Sequence, residues 1–300
     1  MNGPEKEAVC VTGANGFIGT WVVRTLLEKG YTNIHAAIFP GTDASHLFSL
    51  PGATKLNVPI SRAIEGCNGV FHLASPNTLD DPKDPEKELL IPAVQGTLNV
   101  LEAAKKFGVR RVVLTSSISS IVPNPNWPQG KVIDETSWTD LDFCKSHKIW
   151  YSMSKTLAEK AAWEFAEKNG TDVVAIHPAT SLGPFPQPYV NASGAVLQRL
   201  LQAVHVKDVA KAQVLLFETP AASGRYLCTN GIYQFAEFAE KVSKLFPEYP
   251  IHMFKGETQP GLVACENAAK RLISLGLDFT PVEETIREAV ESLKAQGHLG

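Results

Sequence analysis

Val9-Cys10-Val11-Thr12-Gly13-Ala14-Asn15-Gly16-Phe17-Ile18-Gly19 is the stretch on which the fold turns. A short apolar run exits through G-x-x-G-x-x-G into an amphipathic segment, Phe17 to Lys29, which is the pattern of a strand, a tight turn and a helix. Each glycine then has a physical task. Gly13 makes the turn, Gly16 lets a pyrophosphate approach the backbone where free N–H groups point out of the helix, and Gly19 lets helix and strand pack closely.

Outward from that motif, strand-like runs at Ala8 to Thr12, Ile34 to Phe39, Gly69 to Ala74, Arg110 to Ser116 and Asp172 to His177 alternate with helix-period segments at Phe17 to Lys29, Glu88 to Phe107 and Tyr151 to Lys168. The helices close at or near Gly30, Gly108 and Gly170, where a left-handed C-cap is easiest. Such alternation predicts an α/β fold, a doubly wound parallel (Rossmann) sheet. We read residues 1–180 as the dinucleotide-binding domain and 181–300 as mainly a smaller substrate lobe, with about 203–218 returning to the first core. Pro178, Pro184, Pro186 and Pro188 mark the change. The last helix carries a start signal of Thr280 as N-cap, Pro281 at N1 and Glu283 at N3, a capping box.

Two junctions are tighter than ordinary connections. Helix-like Ala195 to Gln202 runs straight into strand-like Ala203 to Val206, and Lys55 to Val58 straight into Ile60 to Cys67, where two to six connecting residues are usual. We read both as places where loop residues are missing.

The end of the second strand decides which dinucleotide is held. NAD asks for an acid on the ribose hydroxyls, and NADP for the absence of that charge and often an Arg. Ala37-Ile38-Phe39-Pro40-Gly41-Thr42-Asp43-Ala44-Ser45-His46 has neither an acid nor an Arg at the strand end. NADP(H) is expected, cradled by the hydroxyls of Thr42 and Ser45, the turn's N–H groups and His46, with Asp43 keeping NAD(H) as the alternative.

Tyr151 and Lys155 stand four apart, on one face at the start of a helix, and follow Ser117 at a strand end by 34 residues. Ligands sit at strand C-terminal ends in such sheets. The three make a chemical set. An adjacent ammonium and an oxidised nicotinamide would bring the Tyr151 phenol down toward working pH. Ser117 would hydrogen-bond an oxygen that becomes an alkoxide, and Lys155 would also grip the nicotinamide ribose. Asn99 is a candidate to hold a proton-relay water.

The remaining composition excludes several classes. A net charge of −3 spread over 300 residues argues against nucleic acid or an anionic membrane as partner. No apolar run approaches a membrane span, and the acidic start is unlike a signal sequence, so the chain is expected to be cytoplasmic. Five scattered Cys without a C-x-x-C pair and eight His without ligand spacing argue against disulfides and metal.

Thr12-Gly13 through Gly19, Val70-Phe71-His72-Leu73-Ala74-Ser75-Pro76, Pro92-Ala93-Val94-Gln95-Gly96-Thr97, Val113-Leu114-Thr115-Ser116-Ser117, the Tyr151/Lys155 pair and Val206-Lys207-Asp208-Val209-Ala210 together resemble the extended short-chain dehydrogenase/reductases. Within them they resemble the plant branch of cinnamoyl-CoA reductases, cinnamyl-alcohol-forming reductases and dihydroflavonol reductases. The resemblance implies a cofactor surface of Thr12, Gly13, Asn15, Gly16, Phe17, Ile18, Gly19, Phe39, Leu73, Ala74, Ser75, Thr115, Ser116, Lys155, Pro178 and Ser193. Ile118, Val122, Leu182, Tyr189 and Asn191 would face a small aromatic substrate. Departures bear on that substrate. Cinnamoyl-CoA reductases typically read N-W-Y-C-Y-G-K where this chain has Ile149-Trp150-Tyr151-Ser152-Met153-Ser154-Lys155, dihydroflavonol reductases usually carry Asn where Val122 stands, and the relatives' Arg at the second strand is Phe39.

These observations point to an NADPH-dependent reductase of a cinnamaldehyde-like carbonyl, with cinnamoyl-CoA and then dihydroflavonol reduction as alternatives. A sugar-nucleotide epimerase or dehydratase would use the same Tyr and Lys but keep its dinucleotide bound. A non-enzymatic binding protein would keep the glycine loop and show no turnover.

Overall fold

The computed structural model describes residues 6–52, 56–57, 63–77, 82–186, 203–249, 251, 253 and 263–298. Seven parallel strands form the central sheet in the order β3-β2-β1-β4-β5-β6-β9. They are β1 (Val9–Thr12), β2 (Ile34–Ala37), β3 (Leu56–Asn57), β4 (Gly69–His72), β5 (Arg111–Thr115), β6 (Val173–Pro178) and β9 (Gly224–Cys228). The order reverses at β1, where a crevice opens at the strands' C-terminal ends.

The pleat assigns alternate side chains to two helical layers. Val9, Val11, Phe71, Val113, Val174 and Ile176 join one apolar cluster with α1 (Phe17–Glu28) and α6 (Val206–Glu218). Cys10, Val70, Val112, Leu114, Val173 and Ala175 join another with α3 (Ile91–Lys106) and α5 (Trp150–Asn169). Burial on both faces explains why these strands read as continuous apolar runs rather than as alternating ones. Gly69 leaves room for the Phe217 ring of α6, since a Cβ there would lie 2.2 Å from it. Arg111, buried at the start of β5, donates to the carbonyls of Leu216, Thr219 and Pro220 and so ties the end of α6 to the sheet.

Gly30, Gly108 and Gly170 all take the left-handed conformation beyond their helices. Short elements α2 (Ser45–Phe48) and α4 (Leu141–Ser146) complete the first half. In the second half, β7 (Thr180–Leu182) pairs with β8 (Ala203–His205), and β10 (Gly231–Ile232) with β11 (Cys265–Glu266). α7 (Phe235–Leu245) and α9 (Val282–Ala295) share an apolar cluster with β7 and β8, whereas Leu272 of α8 (Lys270–Ser274) joins the cluster of the central sheet. β9, like α6, belongs to the central sheet's layers.

The capping box expected at the last helix is not formed. Pro281 itself is the N-cap of α9, and no side chain caps it. The Thr280 N–H donates instead to the buried Asp208 carboxylate of α6 at 2.7 Å, and Glu283 pairs with Lys241. A reciprocal box occurs at α7, between Gln234 and Glu237. Ala195 to Gln202 and most of the tight junction after Lys55 lie outside the described residues. No helix of the described residues is long and apolar enough to cross a membrane, and no cluster of His, Cys, Asp or Glu among them could hold a metal.

Candidate active site

The glycine turn is built as its spacing requires. Gly13 has φ +67°, and a Cβ on it would press on the Ala74 backbone at 3.0 Å. A Cβ on Gly19 would lie 2.1 Å from the Gly13 carbonyl oxygen, so only glycine allows α1 to start against this turn. Gly16 is the N-cap of α1 and offers no side chain to the first-turn N–H groups, which leaves them for an anion. The Phe17 side chain turns inward and stacks on Phe185 with ring centroids 4.8 Å apart. Ile18 is partly buried beside it. A dinucleotide pyrophosphate therefore fits this turn through backbone groups rather than side chains.

Thr12 organises the neighbouring strand exit. Its hydroxyl oxygen accepts the N–H groups of Leu73 and Ala74, both at 3.1 Å. Its proton is thus directed to His72 Nδ1 at 2.8 Å, leaving the His72 proton on Nε2, toward Thr97. Burial, with the nearby Lys155 ammonium, pushes His72 down to about 3, so it is neutral. Ser75 follows, partly exposed.

At the end of β2, Phe39 is 77% exposed. Asn15 donates to Thr42 Oγ1 and the Asp43 carbonyl, while Ser45 donates its N–H and hydroxyl to the Asp43 carboxylate. That carboxylate is held below its usual range by those bonds. The expectation that His46 helps cradle a phosphate fails, because it is buried, with Nε2 against the Thr20 hydroxyl at 3.1 Å.

Ser117, Tyr151 and Lys155 are brought to the end of β5, where Tyr151 hydrogen-bonds Ser117 and Lys155 reaches Thr115. Ser117 begins a 3₁₀ turn, Ile118–Ser120, and its hydroxyl accepts the Ser119 N–H at 3.1 Å. Lys155 is buried and donates Nζ to the Thr115 carbonyl at 2.9 Å. Burial brings it down to about 8, against the opposing charge of Glu159. Tyr151 differs from the sequence expectation. Burial raises the phenol, and the opposing effect is a side-chain hydrogen bond with Ser117. The Lys155 ammonium, anchored on Thr115, does not bring it down. Asn99 sits on the exposed face of α3, bonded to Gln95, so it does not reach the site. Thr97, two residues earlier, borders the same small polar cavity as His72, Ser116 and Lys155.

Pro178 ends β6 opposite Cys228. Ile118 and Val122 are partly buried beside Ile121, Ile133, Leu227 and Ile232. Leu182 is fully buried with Ala203, Tyr233 and Phe238 and packs the lobe's core rather than an open slot. Tyr189, Asn191 and Ser193 lie outside the described residues.

Beneath the trio lies a group that sequence reasoning missed. Glu159, on α5, is completely buried. Its Oε2 accepts Ser116 Oγ at 2.6 Å, Ser120 Oγ at 2.7 Å and His177 Nε2 at 2.8 Å. Its Oε1 accepts Arg225 Nε at 2.7 Å and Trp163 Nε1 at 3.2 Å. The available signal was a Glu on the helix face that carries Tyr151 and Lys155, and an Arg in the otherwise apolar run of β9.

A glycine turn at the switch point of a parallel sheet, with Ser, Tyr and Lys at the strand ends, defines a dinucleotide-binding oxidoreductase of the short-chain dehydrogenase/reductase type. The chain belongs to the NAD dependent epimerase/dehydratase family, whose pattern matches residues 9–219. It is 43% identical to cinnamoyl-CoA reductase 1 of Petunia hybrida, with 100% of this chain and 96% of that protein covered. That alignment runs over 323 positions against a chain of 300 residues, so the relative has positions that this chain skips. Among solved structures, vestitone reductase from alfalfa (Medicago sativa L.) superposes with a TM-score of 0.81 at 35% identity, covering 98% of this chain and 100% of that one. Yeast methylglyoxal/isovaleraldehyde reductase Gre2, complexed with NADPH, gives 0.82 at 27% identity, covering 97% and 100%.

Proposed function

We propose that this protein is an NADPH-dependent reductase of a small aromatic, cinnamaldehyde-like carbonyl, with Tyr151 as the proton donor. The observation that carries the reading is the convergence of Ser117, Tyr151 and Lys155 at the strand ends beside the glycine turn. A bound nicotinamide would supply the hydride for the carbonyl carbon. Tyr151, whose burial keeps its phenol protonated, gives its proton to the carbonyl oxygen, so that the product is an alcohol. Ser117 hydrogen-bonds that oxygen as negative charge develops. Lys155, pinned to the Thr115 carbonyl, would grip the nicotinamide ribose. The cofactor would be held by the turn from Thr12 to Gly19, by Leu73, Ala74 and Ser75, and by Thr115 and Lys155. The missing acid at Phe39 favours NADP(H), a reading supported by the NADPH complex of Gre2.

A second reading has its own support. The curated relatives include cinnamoyl-CoA reductases at up to 43% identity, so a CoA thioester is the competing substrate. Against it stand Ser152-Met153-Ser154 in place of the motif of those enzymes and an uncharged, proline-rich stretch from Pro184. The test is kcat/KM for cinnamaldehyde and cinnamoyl-CoA at one pH with saturating NADPH. We expect the aldehyde to win by at least roughly tenfold, about 1.4 kcal/mol of differential transition-state binding. A preference for the thioester would overturn the choice of substrate.

A further inference from the structure

Glu159 takes no part in the chemistry proposed above, yet it receives five hydrogen-bond donors in a fully buried position. Burying a carboxylate is unfavourable, and an apolar residue of similar volume often serves stability as well or better. Where its bonds go is therefore informative. Ser116 and Ser120 bracket Ser117, so one oxygen of Glu159 grips both ends of the turn that carries Ser117. The other oxygen holds Arg225, whose guanidinium also reaches the carbonyls of Ser120, Glu135 and Ser137.

We infer that Glu159 is a positioning residue of the reaction centre: its carboxylate locks the Ser117 turn to the helix that bears Tyr151 and Lys155, and faces Lys155 as its internal counter-charge. The inference rests on the reading of Ser117, Tyr151 and Lys155 as the reacting groups. Tyr151, Lys155 and Glu159 occupy successive turns of one face of α5. Lys155 is pinned to the Thr115 carbonyl, one residue before Ser116. The segment from 115 to 120 is thus stitched to one helix face at Lys155 and at Glu159.

The charges around this stitch are arranged to match. His72, from β4, is neutral and brings no anion to Lys155, while Glu159 opposes the fall that burial imposes on the Lys155 ammonium. Arg225 from β9 and His177 from β6 hold Glu159 below the ordinary carboxylate range. Losing the Glu159 charge would let Lys155 release its proton at lower pH, and losing its bonds would free the Ser117 turn.

The test is Glu159→Gln, which keeps the shape and removes the charge. Reduction should slow at least about tenfold in kcat, as expected when reacting groups lose their alignment. KM for NADPH should change little, the alkaline limb of the pH profile should move to lower pH, and amide hydrogen exchange of residues 116–120 should quicken. Ser120→Ala keeps the charge and loosens the turn, so it should lower kcat without moving the limb. A folded Glu159→Gln protein with the kcat and alkaline limb of the wild type would overturn the inference. Should Glu159→Gln fail to fold, Ser116→Ala/Ser120→Ala carries the test, and wild-type kcat with wild-type exchange in that turn would overturn it equally. A wild type that reduces no carbonyl while exchange at 116–120 responds to Glu159→Gln would refute the proposed activity and leave the turn lock standing.

Discussion

Gly19→Ala probes whether the glycine turn works through backbone proximity. The added Cβ would sit 2.1 Å from the Gly13 carbonyl oxygen and 2.9 Å from Ala14 Cα. Ordinary contact lies at about 3.5 Å, so turn and helix must part by roughly 1.4 Å, against backbone rather than a flexible side chain. Overpacking of this kind costs about 1–3 kcal/mol, from which the helix propensity of Ala returns about 1. A net loss of up to about 2 kcal/mol lowers Tm by up to several degrees, at about 2–4 °C per kcal/mol. The same Gly13 carbonyl accepts the Gly16 N–H at 3.0 Å, so the displacement reaches the N–H groups that face the pyrophosphate. NADPH affinity should fall at least about tenfold, a loss of roughly 1.4 kcal/mol. Gly96→Ala is the control. Gly96 lies within α3, and a Cβ there meets nothing within 4 Å, so the substitution should stabilise by about 0.5–1 kcal/mol and leave NADPH binding alone. Thermal unfolding without cofactor and calorimetric titration with NADPH read both effects. If Gly19→Ala matches the wild type in Tm and in affinity, the close-approach argument is refuted.

Three further outcomes follow from the site. Tyr151→Phe should bind NADPH normally while kcat drops by about a hundred- to ten-thousand-fold, and near-normal turnover would exclude Tyr151 as the donor. Lys155, brought down to about 8 by burial, should make reduction fall as pH rises through that value. Its folded form binds fewer protons than the unfolded chain between about 8 and its ordinary 10.5, so its contribution to stability rises over that window, and activity and thermal stability measured side by side should diverge there. Phe39→Asp, at an exposed position, should leave stability unchanged and erode the preference for NADPH over NADH in kcat/KM, and a wild type already faster with NADH would contradict the cofactor assignment.

Much of the fold was legible because its strands are buried on both faces. Val9 to Val11 and Val173 to Ile176 are continuous apolar runs for that reason, and the glycines that end the helices mark places where a left-handed residue is needed. What the sequence hid is contact across distance. Thr280 carries a local start signal, but its N–H is claimed by Asp208 from a helix 72 residues earlier. Asn99 and Thr97 are equally plausible as site residues on paper, and only the rotation of α3 decides that Thr97 faces the cavity. Glu159 reads as one more surface charge until His177, on the next strand, and Arg225, 66 residues on, are seen to meet it. Ser117, Tyr151 and Lys155 stand out as candidates because helix spacing and strand-end chemistry are local, whereas the buried Glu159 network beside them depends on contacts across distance.

The resting charges of the site also bear on direction. Burial raises Tyr151 while the Ser117 hydrogen bond opposes it, and Lys155 keeps an ammonium below about 8. On the proposed mechanism, the phenol that the protein alone holds as an acid near neutral pH is in the protonation state that carbonyl reduction consumes and alcohol oxidation lacks. To run the other way, Tyr151 would first have to lose a proton from a site where desolvation raises the phenol. Glu159 bears on both directions through the same ammonium, since it preserves the cation while lying beneath Ser116 and Ser120 rather than at the substrate oxygen. A carboxylate placed at the substrate oxygen would oppose a developing alkoxide, whereas one held beneath Ser116 and Ser120 acts on Lys155 instead.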